Sequence, residues 1–144
     1  MHSPSNVIVA LTLACVFAAL AAVHVYWAVG STPAGGAAVP TRADGQPLFC
    51  PSRATTMAVA LLLLAAAGVM LGKVGILAPV GPMLFYRVGP WVIGGVLLLR
   101  TIGDFRYVGL FKRVRGSRFA RFDSRYYTPL CAVLAAGAFY VAAA

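Results

Sequence analysis

The sequence predicts an all-α protein, a four-helix transmembrane bundle. Hydrophobic residues make up 61% of the 144 positions and charged residues only 10%. A soluble domain of ordinary composition carries charge on about a quarter of its residues. The apolar residues fall into long runs separated by short polar connections, which is the pattern of spans across a bilayer. The positive charge is also clustered, with most of the Lys and Arg side chains between Arg100 and Arg125. A net charge of +9 raises the question of nucleic acid. Basic residues placed beside spans instead read as topology signals and contacts to anionic lipids, so a bilayer with anionic lipids is the expected partner and nucleic acid is not.

A single membrane domain covers residues 1–144. The first apolar run, about residues 7–29, has the roughly twenty residues that a spanning helix needs. Met1 to Asn6 contains no Lys or Arg and the run exceeds a signal peptide's apolar core, so it reads as a retained span. It ends in His24, Tyr26, Trp27 and Gly30, and Tyr with Trp at a span end forms an interfacial belt. The loop over 31–55 is broken by Pro33, Gly35, Gly36, Pro40 and Pro47, with a turn at Asp44-Gly45. It reads equally as a lid or as a plain connector. The second span covers about 56–77, with Ser52, Thr55 or Thr56 as its cap. Pro79-Val80-Gly81-Pro82 is a tight turn that makes the second and third spans antiparallel. The third covers about 84–104, with Tyr86, Arg87 and Trp91 as anchors. The basic segment 105–125 interleaves arginines with Phe105, Phe111, Phe119 and Phe122, a composition suited to the headgroup layer. The fourth span covers about 126–144.

The basic connection should face the cytoplasm, which puts both termini outside. The carboxyl ends of the first and third spans then share one level, and His24, Tyr26 and Trp27 lie at the depth of Arg100, Asp104 and Tyr107. Arg100 and Asp104 stand at i and i+4 on one expected helix face, where they would pair, and Tyr107 would continue it. Gly103 would leave room beside Arg100. A lone charge at mid-membrane costs roughly 2.5–3.5 kcal/mol, so such residues default to a functional reading. Each also has a plainer one. Arg100 can snorkel, Asp104 can fix a helix end, and His24 can bond its own bundle. Asp123, before the fourth span, could reach back to Arg106 or Arg100.

Cys15, Cys50 and Cys131 are widely spaced and imply neither metal site nor disulfide; Cys15 and Cys131 read as buried small hydrophobes, Cys50 as a loop thiol. One spanning histidine does not make a zinc or haem site, so no metal is expected and no cofactor is identified. Phosphate loops and the common hydrolase motifs are absent.

The motif His24-Val-Tyr26-Trp27-Ala-Val-Gly30 resembles the H-x-Y-W-A-x-G-G signature of the DUF 3995 group, small bacterial membrane proteins of unknown function. The resemblance continues through Arg100-Thr-Ile-Gly103-Asp104-Phe105-Arg106-Tyr107-Val-Gly109, Phe119-Ala-Arg121-Phe-Asp123 and Tyr126-Tyr127-Thr-Pro129-Leu130-Cys131. Ser31 departs from it, standing where the pattern usually has a second glycine. It implies a four-span protein of the bacterial inner membrane and carries no activity.

The leading expectation is a site for an amphiphilic or lipid-like small molecule at the cytoplasmic ends of spans one and three. Arg100 would engage an anionic group, Asp104 would orient Arg100, His24 with Tyr26 would donate or accept hydrogen bonds, and Trp27 would supply an apolar wall, with Tyr107 also among the binding residues. One alternative is an isomerase or other proton-transfer enzyme with His24 and Asp104 as acid and base. The other is a structural or accessory subunit packing through Gly68, Gly94, Gly95 and Gly137. A transporter would need a homo-oligomer to enclose a path.

Overall fold

The computed structural model describes residues 3–30, 38–42 and 46–144. The turn expected at Asp44-Gly45, and Pro33, Gly35 and Gly36, lie outside the described residues. Helix α1 spans Pro4–Val29, α2 Arg53–Lys73 and α3 Met83–Ile102. All three are long and apolar enough to cross a membrane. The fourth helix is built in pieces: α4 (Arg118–Phe122), a π-helical turn (Asp123–Tyr127) and α5 (Thr128–Ala142). The 15 residues of α5 reach only about 22 Å. Alone they fall short of the roughly 30 Å of a bilayer core.

The ends are set by local chemistry. Ser3, Ser52 and Ser117 place their hydroxyl oxygens to accept N–H groups of Asn6, Thr55 and Ala120, capping α1, α2 and α4. Helix α2 stops at Lys73, short of the expected Leu77. Gly75 adopts φ +77°, and the N–H groups of Gly75 and Ile76 donate to the carbonyls of Gly72 and Leu71 at 3.1 and 3.0 Å, the pattern of a glycine-terminated helix. Tyr86, expected as an interface anchor, closes the following turn. Its oxygen accepts from the Val80 N–H at 2.8 Å and its O–H donates to the Val80 carbonyl at 3.1 Å. Its ring lies over Gly72, where a Cβ would overlap it.

The helices form an antiparallel ring in which α1 adjoins α2 and α5, and α3 adjoins α5 and, more lightly, α2. Helices α1 and α3 are diagonal, with no backbone approach within 8 Å. Tyr140 near the end of α5 donates to Ser5 at the start of α1 at 3.0 Å. Gly89 of α3 lies against Val69 of α2, and Gly94 against Phe139 of α5. The core joins Ala10, Leu13, Ala14 and Phe17 of α1 to Ala67 and Met70 of α2 and Leu134, Ala138 and Val141 of α5. It therefore lies toward the end that carries the α2–α3 turn. Leu61, Leu62, Leu99 and Val133 are exposed. The outside is as apolar as the inside, so close approach over small residues orders the bundle, as between helices in lipid. Gly94 and Gly137 serve that approach, whereas nothing lies within 4 Å of a Cβ built at Gly68 or Gly95. Cys15, expected to be buried, is exposed on the apolar surface, and Cys131 is half-buried.

Candidate functional site

The polar residues gather at the opposite end, where α1 and α3 finish and α4 begins. Helix α3 ends at Ile102 because Gly103 turns to φ +88°. Asp104 therefore lies beyond the helix, and the expected i, i+4 pair with Arg100 does not form. The Asp104 Oδ1 instead accepts the N–H groups of Arg106, Tyr107 and Val108 at 2.9, 2.7 and 2.9 Å. The side chain is an acceptor for its own loop, the local bonding typical of Asp in turns. Burial works to raise its pKa, but the three N–H groups prevail and hold it below the usual carboxylate value.

The loop then folds back on α3, with the Leu110 N–H donating to the Thr101 carbonyl at 2.9 Å. Gly109, at φ +87°, brings its Cα against Gly103. A side chain on either would overlap the other's backbone, so the room expected beside Gly103 is filled by Val108 and Gly109.

This fold delivers Gly109 and Lys112 to Asp123, whose side chain is fully buried. The Asp123 Oδ1 accepts from Arg100 Nη2 at 2.7 Å. Its Oδ2 accepts from Lys112 Nζ at 2.8 Å, the Gly109 N–H at 3.0 Å and the Thr128 hydroxyl at 3.1 Å. Lys112 is 3% exposed and donates also to the Gly109 carbonyl at 3.0 Å. Of the two reaches considered for Asp123, the one to Arg100 is made. Burial alone would raise the Asp123 pKa; the Lys112 and Arg100 bonds, with the Gly109 N–H, outweigh it and lower the value. The carboxylate is thus ionised at neutral pH. Asp123 opens the π-helical turn, and such one-turn widenings recur at functional sites.

Two cations meet one carboxylate, so the cluster carries an excess positive charge. The excess has an address: Arg100 Nη1 is buried and has no hydrogen-bond partner among the described residues. Arg100 itself is 32% exposed. A buried guanidinium N–H without an acceptor is costly, and an anionic oxygen would satisfy it.

His24 lies at the same end but on the diagonal helix. Its Nδ1 is 2.7 Å from the Leu20 carbonyl oxygen. That contact makes Nδ1 the donor and leaves Nε2 as an acceptor in the neutral ring. Its other partner is Trp27, edge-on at 5.3 Å between centroids. Tyr26 is 66% exposed. Tyr107 is half-buried, with the Arg106 guanidinium 5.2 Å from its ring centroid. The expected residues thus divide. Arg100 sits in the polar cluster, Asp104 and Tyr107 shape the loop above it, and His24, Tyr26 and Trp27 form a separate group on α1. Among the described residues no hydrogen bond or ion pair joins His24 to Arg100 or Asp104.

Sequence reasoning did not single out Lys112 within the basic segment 105–125. The available signal was its type, since it is the one lysine between Arg100 and Arg125. Lysine is a compact point charge with three donors on a flexible stem, unlike the planar arginine fork that matches carboxylates and phosphates alike.

The family described as "Protein of unknown function (DUF3995)" matches residues 17–138. No curated protein and no solved structure matches the chain.

Proposed function

Because the chain belongs to the DUF3995 family, whose description assigns no activity, we propose a function from the geometry: the protein binds the anionic group of an amphiphilic, lipid-like molecule at the basic end of its bundle. The buried Nη1 of Arg100, without a hydrogen-bond partner among the described residues, carries this reading. Asp123 fixes the guanidinium through Nη2; an incoming oxygen would meet the part of Arg100 that stays exposed and would reach the covered Nη1 only as the neighbouring groups give way. In this reading Asp123, held by Lys112, orients Arg100, the role first expected of Asp104. By the bias of basic loops this end faces the cytoplasm, so the molecule would enter from the inner leaflet. The exposed Phe105, Leu110 and Phe111, with the surrounding arginines, suit a loop lying among anionic headgroups.

The acid–base alternative gains little support, because His24 is bonded within α1 and Asp104 within its own loop. Native mass spectrometry of the protein, extracted gently from its own membrane, tests the proposal. A bound small molecule that disappears in Arg100→Gln supports it. A bare protein counts against it, and a stoichiometric partner protein would favour the accessory-subunit reading.

A further inference from the structure

A groove of about 830 Å³ opens between α2 and α3 on the apolar half of the bundle. Its walls include Ala65, Gly68 and Val69 of α2 and Gly89, Val92 and Ile93 of α3. Tyr86 supplies the only side-chain polar atom among its lining residues, and that hydroxyl is engaged by Val80. The groove can therefore accept hydrocarbon and nothing charged. Its volume falls in the range of sites for one small ligand.

The groove is in line with the polar cluster. Along α3, Gly89, Ile93, Val96 and Arg100 recur at intervals of four, three and four residues, which places them on one helix face. Arg100 stands about 12 Å beyond Val92 along the axis, with Val96 exposed between them. Leu84, at the far end of the groove, is about 24 Å from Arg100 by the same count. One face of α3 thus runs from an anion-seeking guanidinium to an apolar slot, and the whole length passes the midplane of a core about 30 Å thick.

We infer that the ligand is an anionic amphiphile with one long hydrocarbon chain, its head on Arg100 and its chain laid along α3 into the α2–α3 groove. This inference rests on the proposed Arg100 site and specifies what that site takes. The charge at one end of the stripe and the uncharged slot at the other select such a molecule over a free anion or a neutral lipid. A chain too short to reach Val92 would gain the head contact alone.

The test titrates inorganic phosphate, hexyl phosphate and oleyl phosphate into the full chain in zwitterionic nanodiscs, with empty nanodiscs as the partition control. Gly68→Leu fills the slot from a position where nothing lies within 4 Å of the new Cβ. Val92→Trp, on an exposed site of the other wall, repeats the test should Gly68→Leu fold poorly. Beyond the partitioning that empty nanodiscs report, oleyl phosphate should bind at least about tenfold more tightly than hexyl phosphate, through packing of its chain against the groove walls. Either groove substitution should remove most of that gain and leave hexyl phosphate unchanged, while Arg100→Gln should weaken both. Groove variants that bind oleyl phosphate like the parent, with Arg100→Gln still weakened, overturn the groove and leave the head site standing. Insensitivity to Arg100→Gln overturns both. Inorganic phosphate binding as tightly as oleyl phosphate identifies a free-anion site and also overturns the chain assignment.

Discussion

The two ends of the bundle are held together by different physics. At the turn end, Phe17, Met70 and Val141 are buried among alanines, and Gly137 admits Leu13. These contacts are non-directional, and many residue sets of equal volume satisfy them. At the basic end, one carboxylate accepts four hydrogen bonds from Arg100, Gly109, Lys112 and Thr128. Each of these has a fixed direction and a defined charge. The first end can drift in composition; the second depends on Asp123, without which Lys112 is buried without compensation.

The contrast can be broken most severely at its centre. Asp123→Asn strands Lys112, 3% exposed, and should cost about 3–5 kcal/mol, read as a loss of thermal stability in detergent. Gly109→Ala comes next, at about 2–4 kcal/mol, since a Cβ there meets the Gly103 backbone at φ +87°. Acid should act on the same end. The folded pKa of Asp123 lies below its unfolded value. Its stabilisation is therefore fully present above about pH 4 and is lost as pH falls through the depressed folded value. In Asp123→Asn that portion of the acid sensitivity should vanish from the melting profile. Met70→Leu, in the core of the turn end, should cost less than about 1.5 kcal/mol. A large loss there, equal to that of Asp123→Asn, would erase the distinction between the ends.

How much of this was legible in the sequence follows the same division. Apolar runs declare helices by length alone, so Pro4–Val29, Arg53–Lys73 and Met83–Ile102 were readable to within a few residues at most ends. The α2–α3 turn was readable from its prolines and Gly81. The end of α3 was not, because one glycine's φ decides whether Asp104 continues the helix or caps a loop. That single torsion moved the partner of Arg100 from four residues away to Asp123. A contact across 23 residues depends on how the loop 103–117 folds, and no periodicity encodes it. The shared level of His24 and Arg100 was readable from topology; their placement on diagonal helices was not, since alternation of direction fixes depth and leaves neighbour order open.

The most direct test of the polar hub is a double-mutant cycle on Asp123→Asn and Lys112→Met, measured as thermal stability of the full chain in one detergent. The buried pair should show a coupling of about 1–3 kcal/mol, the double variant being far less damaged than the sum of the singles. Additivity within roughly 0.5 kcal/mol would contradict it.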